Sequence, residues 1–151
     1  MRLDVRVSRA NPFEAVLMAS IHAGCFARPW PEADMARFVA APDTLCLIAS
    51  AIGNSGGIPG GLLITRKAAD EAELLTLCVI PACRRLGLAR ALLREAIDAL
   101  CTSGTTRLFL EVEDGNQAAR RLYYSLGAVP VGKRPGYYEH GADAAMFSLA
   151  L

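Results

Sequence analysis

The chain has 151 residues, with sixteen Lys and Arg against fifteen Asp and Glu and a formal net charge of +1. Such a balance excludes wholesale binding to nucleic acid or a membrane surface through net charge, and no apolar run approaches the ~18–20 residues of a membrane-spanning helix. A chain of this length is expected to form a single domain over 1–151, with a core that needs neither metal nor disulfide staples.

In chain order, Met1 to Val7 alternates charged and apolar residues and predicts a first strand instead of a signal peptide. Asn11-Pro12 opens a helix over Phe13 to Phe26, with Val16, Leu17, Ile21 and Cys25 on its apolar repeat. Arg28-Pro29-Trp30-Pro31 breaks it before a second helix, Glu32 to Ala40. Leu45 to Ala49 reads as a buried strand, Gly53 to Gly60 as a turn, and Gly61 to Thr65 as the returning strand of a hairpin. A fourth strand, Leu74 to Ile80, is closed by Pro81. A helix carrying Leu93, Ala96, Ile97 and Leu100 inward then runs to about Thr102. Arg107 to Val112 is a strand, Asn116 to Leu126 a helix stopped by Gly127, and two strands close the chain around 128–133 and 144–149. The expected fold is a mixed α/β sheet of about six to seven strands, mostly antiparallel, with helices on both faces and one parallel pair joined by a helical crossover.

Between the fourth strand and its helix lies Arg84-Arg85-Leu86-Gly87-Leu88-Ala89-Arg90. A helix start leaves several N–H groups without intrahelical partners, and with the helix dipole and adjacent arginines these can seat a phosphate. Gly87 and Ala89 let a ligand approach the main chain. Neither Gly-x-Gly-x-x-Gly nor a Gly-Lys-Ser/Thr ending is present, so the common dinucleotide and triphosphate loops are excluded. Small residues at such a turn also serve plain strand–helix packing.

A second group of residues follows. Glu111 interrupts the apolar run Leu108-Phe109-Leu110-Glu111-Val112. A charged carboxylate there is costly unless solvent, hydrogen bonds or an arginine answer it, and it could serve as a general base. Glu113 shares its strand face, and Asn116 is placed to cap the next helix. Tyr123 falls on that helix's apolar stripe, as core or as a proton donor. The five cysteines (25, 46, 78, 83 and 101) are scattered without zinc spacing, as in a reducing cytoplasm, and no metal site is expected. His22 and His140 read as packing or surface residues.

Taken together, the segments from His22 through Phe26 to Trp30, from Glu73 through the loop, and from Leu110 through Gly127 to Tyr137-Tyr138 resemble the GNAT superfamily of acetyl-CoA-dependent N-acetyltransferases. The loop Arg84-Arg85-Leu86-Gly87-Leu88-Ala89 fits that family's Gln/Arg-x-x-Gly-x-Gly/Ala pattern. Within it the chain is most similar to the bacterial enzymes acting on the N-terminal alanine of a small-subunit ribosomal protein. The resemblance implies that Leu77, Cys78 and Val79 hold the pantetheine arm of acetyl-CoA and that Arg84, Arg85, Leu86, Gly87, Leu88, Ala89 and Arg90 hold its pyrophosphate. It places Asn116 and Tyr123 on the cofactor and implies Glu111 as proton acceptor and Tyr123 as proton donor. Trp30, Glu111 and Tyr138 would meet the acceptor. A cytoplasmic enzyme, monomeric or weakly dimeric, with no metal and no direct nucleic-acid or membrane contact, is the expectation.

Three departures stand out. Arg84 replaces a customary glutamine, Ala128 replaces an aromatic, and the segment Glu139-His140-Gly141-Ala142-Asp143 is shorter than usual and lacks a proline. Because that hairpin shapes the acceptor site, a lysine side chain or small-molecule amine remains an alternative acceptor. A non-catalytic sensor of acetyl-CoA is a further alternative, although it would need neither Glu111 nor Tyr123.

Overall fold

A computed structural model describes residues 4–54, 56–138 and 140–151. Seven strands form one sheet in the order β1-β2-β3-β4-β5-β7-β6. They are β1 (Asp4–Arg9), β2 (Thr44–Gly53), β3 (Gly56–Ala68), β4 (Glu71–Val79), β5 (Arg107–Glu113), β6 (Val129–Arg134) and β7 (Ala144–Ala150). The helices are α1 (Ala15–Ala23), α2 (Glu32–Ala40), α3 (Leu88–Thr102) and α4 (Gln117–Ser125). By packing, the chain divides into Met1–Arg66 with Leu75–Ala99, and Lys67–Leu74 with Leu100–Leu151.

In the first unit the alternation of strand side chains sorts the helices. Cys46 and Ile48 of β2, Leu62 and Ile64 of β3 and Cys78 of β4 form one cluster with Ala15, Met18 and Ile21 of α1 and Met35 of α2. Gly61 and Ala49, paired across β2 and β3, belong to the opposite face. A Cβ on Gly61 would lie 3.0 Å from Leu92 Cδ1 and 3.5 Å from Leu88 Cδ2, so α3 packs closely over this glycine. The first helix is shorter than its sequence pattern suggests. Asn11 Oδ1 accepts from Phe13 N, Glu14 answers the Asn11 amide, and a single tight turn at Pro12–Glu14 precedes α1.

The sharpest departure from expectation is the hairpin. Gly57 to Gly60 is strand, not turn: Gly53 pairs with Gly56, and only residues 54 and 55 separate β2 from β3. Pairing steps from Ala49–Gly61 to Ser50–Pro59, leaving Gly60 as a bulge. The Gly60 carbonyl accepts from Ile80 N at 2.8 Å, and Cys83 Sγ lies 2.5 Å from where a Gly60 Cβ would stand. Glycine is therefore required where the end of β4 crosses the bulge. Of the expected first strand, residues 1–3 lie outside the described residues.

In the second unit β5 and β7 run antiparallel from Arg107–Ala150 to Glu113–Ala144, and β6 flanks β7 on the other side. The parallel ladder of β4 with β5, the expected crossover pair, covers only Glu71–Glu73 with Arg107–Phe109. Glu111 and Glu113 lie beyond it. Phe147 of β7 is fully buried, and the rings of Tyr123 and Tyr124 from α4 meet it edge-on at 5.7 and 5.3 Å.

Candidate active site

The loop ahead of α3 takes a form the main chain rarely adopts without cause. Arg85 has φ +65° and Gly87 φ +87°, two left-handed residues with Leu86 between them. Such alternation turns successive N–H groups toward one concavity, a geometry suited to anions. The first α3 bond is Ala91 N to Gly87 O at 3.1 Å, so the loop amides precede the helical ladder. A Cβ on Gly87 would meet nothing within 4 Å. Glycine there answers the backbone angle. The residues fit a pyrophosphate through main-chain donors and arginine charge.

Not every loop residue offers its side chain. Leu88 is buried against α3's packing face and Cys78 lies in the core cluster, so both could meet a ligand only through main-chain atoms. Burial, reinforced by neighbouring Cys25, pushes the Cys78 thiol far above its ordinary range. Arg84 Nε donates to the Val79 carbonyl at 3.0 Å and ties the loop back to the strand. Arg85 and Leu86 are exposed, and Ala89 is half-buried.

Trp30 belongs to the same unit. Its amide donates to His22 Nδ1 at 3.1 Å, and its ring stacks on the His22 imidazole at 4.7 Å and meets Phe38 at 5.4 Å. Accepting at Nδ1 demands an imidazole that keeps its proton on Nε2, and burial lowers the His22 pKa in the same sense. His22 is thus a packing residue, as expected, with the added task of fixing the α1–α2 connection. That task left no signal in the sequence beyond the aromatic neighbours.

Both acid–base candidates lie in the second unit. Glu111 is half-buried, and Arg134 Nη1 of β6 lies 3.3 Å from its Oε1. The carboxylate is therefore answered by an arginine, the ordinary alternative foreseen for it. Glu113 Oε1 lies 2.9 Å from His140 Nε2, and Asp114 is held by Arg120 at 2.9 Å and Lys133 at 3.1 Å. Asn116 caps α4 as expected, accepting from Ala119 N at 3.1 Å. Tyr123 is buried, and loss of solvent, then the neighbouring Tyr138, raises its pKa well above the phenolic range. Its proton is secure at neutral pH.

Tyr138 is half-buried at the end of the segment that follows β6. Burial raises its pKa first, followed by the charges of Glu111, Tyr137 and Glu113. Its ring stacks on His140 at 5.9 Å and meets Tyr137 edge-on at 5.3 Å. Its amide donates to the Ala142 carbonyl at 3.1 Å, which closes the hairpin tip. Sequence reasoning missed Arg134 and Phe147, whose places beside β5 follow only from the strand register, and it read His140 as packing or surface without its Glu113 partner. Among the described residues no group of three or more His, Cys, Asp or Glu could hold a metal ion, and no helix is long and apolar enough to cross a membrane.

Comparison with known proteins identifies the family. The acetyltransferase (GNAT) family profile matches residues 15–128. The chain is 38% identical over 117 residues to N-alpha-acetyltransferase RimI of Mycobacterium tuberculosis, covering 77% of this chain and 72% of that one. It is 45% identical over 91 residues to the ribosomal protein bS18-alanine N-acetyltransferase of Escherichia coli K12, covering 58% and 62% of the two. The crystal structure of the E. coli ribosomal-protein-S18-alanine N-acetyltransferase superposes with a TM-score of 0.85 at 31% identity, covering 97% of this chain and 94% of that one. On the family profile and these relatives, the chain belongs to the GNAT family and is an acetyl-CoA-dependent N-acetyltransferase similar to RimI.

Proposed function

We propose that the chain acetylates the α-amino group of a protein N-terminus, with the N-terminal alanine of a small-subunit ribosomal protein as the first acceptor to test. Glu111 is the general base and Tyr123 the general acid. The observation that carries this reading is the contrast in setting between Tyr123, buried against Phe147, and Glu111, half-buried beside Arg134.

Acyl transfer to nitrogen needs a neutral amine, a polarised thioester carbonyl and a proton for the departing thiolate. An α-amino group with pKa ~8 costs only ~1.4 kcal/mol to deprotonate at pH 7, whereas a lysine near 10.4 costs ~4.6 kcal/mol. A half-exposed carboxylate, acting directly or through a water, suits the smaller demand. Tyr123 keeps its proton until the thiolate leaves and can supply it then. The loop Arg84–Arg90 would hold the pyrophosphate, the main chain of Leu77–Val79 the pantetheine arm, and an amide of that strand the carbonyl oxygen. Asn116 would add a cofactor contact from the α4 cap. Trp30 and Tyr138 would border the acceptor. Alignment of the two reactants supplies most of the acceleration, and no acyl-enzyme is needed.

Mass spectrometry of an N-terminal peptide panel, alanine-first sequences included, incubated with enzyme and acetyl-CoA tests the acceptor. Preferential labelling of lysine side chains or small amines would move the acceptor to that class. For the roles, Glu111→Gln and Tyr123→Phe should each lower kcat by about a hundredfold with little change in acetyl-CoA affinity. Unchanged turnover in either variant removes that residue from the mechanism.

A further inference from the structure

β5, β7 and β6 lie side by side, and their register puts Glu113, Ala144 and Arg134 in one row across them. Glu111, Met146 and Gly132 form the next row on the same face. The carboxylate in line with Arg134 is therefore Glu113, yet Arg134 Nη1 pairs with Glu111. His140 occupies Glu113, while Lys133 and Arg120 occupy Asp114. The Arg134 guanidinium also lies over the Tyr137 ring at 5.4 Å, which restrains it from a second direction.

We propose that Arg134 is the positioning residue for Glu111, an inference that rests on Glu111 being the base. The guanidinium engages Oε1, and a proton taken up at Oε2 leaves that contact intact. In the transfer, an N–H bond of the acceptor breaks and an O–H bond forms on Glu111, directly or through a water. Arg134 keeps all its protons throughout, because a guanidinium does not deprotonate in a protein. Its contribution is to fix the carboxylate's direction across the sheet face, where a wandering glutamate would lose alignment with the acceptor.

The test compares Arg134→Ala, Arg134→Lys and Glu111→Gln, singly and with Glu111→Gln combined with Arg134→Ala. Arg134 is half-exposed at its side chain, so truncation should leave the thermal midpoint nearly unchanged. Arg134→Ala is expected to lower kcat about tenfold while the KM for acetyl-CoA stays within about twofold, and Arg134→Lys to recover most of the loss. In the Glu111→Gln background the alanine change should cost less than about twofold more. A kcat within about twofold of wild type in Arg134→Ala, or an equal tenfold loss with and without Glu111, overturns the assignment. If Glu111→Gln alone retains full turnover, the base reading itself fails, a result plainly separate from the Arg134 outcome.

Discussion

Arg85 offers a perturbation whose effects on stability and on binding should part company. It holds φ +65° without being glycine, which costs a side-chain-bearing residue about 1–2 kcal/mol relative to its preferred conformations. Arg85→Gly releases that strain but adds about 0.5–1 kcal/mol of unfolded-chain freedom. Arg85→Ala keeps the strain. The glycine variant should therefore exceed the alanine variant by about 0.5 kcal/mol, or roughly 1–2 °C in thermal midpoint for a domain of this size. Both variants lose the guanidinium, and both should weaken coenzyme A binding by about three- to tenfold, the range for one partly exposed charge on a phosphate. Isothermal titration with coenzyme A and with pantetheine, which lacks the pyrophosphate, isolates the cause: the loss should vanish for pantetheine. Wild-type affinity for coenzyme A in both variants, or an equal loss with pantetheine, would refute the placement of the diphosphate on this loop.

Two further outcomes concern the scaffold. Phe147→Ala empties the buried site on which Tyr123 and Tyr124 rest and should cost about 3–5 kcal/mol by denaturant titration; kcat should fall too, as Tyr123 loses its support. His22 has its pKa lowered by burial in the folded chain, so the unfolded chain binds the extra proton first. The stability tied to this residue is present above its ordinary value near 6.5 and is lost as pH falls through the lower folded value. Chemical denaturation between pH 8 and 5 should show that loss in wild type and a flatter profile in His22→Gln; identical slopes would assign the acid sensitivity to other groups.

Much of this architecture was legible because its signals are local. The 3.6-residue repeat of α3, the Asn116 cap and the apolar run of β4 each carry their own physical cause within a dozen residues. The hairpin of β2 and β3 misled for the same reason. Glycine and proline clustered at 56–60 look like a turn, yet they serve a bulge whose purpose is the approach of Cys83, distant in sequence. Likewise Glu111 was visible as an anomaly in an apolar strand, but its partner Arg134 was not. That pairing depends on two antiparallel registers, each set by alternation summed along a whole strand, and no local pattern encodes it.

The parity of β5 explains how one short strand serves both core and chemistry. Leu108, Leu110 and Val112 are buried, and Leu110 pairs with Phe147, the ring that supports Tyr123. Glu111 and Glu113 alternate onto the other face, where Arg134 and His140 meet them. The proposed acid, Tyr123, is therefore held by apolar packing that strips water from its phenol and secures its proton, while the proposed base, Glu111, remains where solvent and cations reach it. Opposite environments are what the two roles demand: a donor that must not ionise early, and an acceptor that must be charged before the amine arrives. A one-residue slip of β5 against β7 would exchange the two faces and place a carboxylate against Phe147. The small residues Ala144 and Ala145 and the large Phe147 of β7 lie on the register that keeps Glu111 and Leu110 on their separate faces, so under the proposed roles they serve the chemistry as well as the fold.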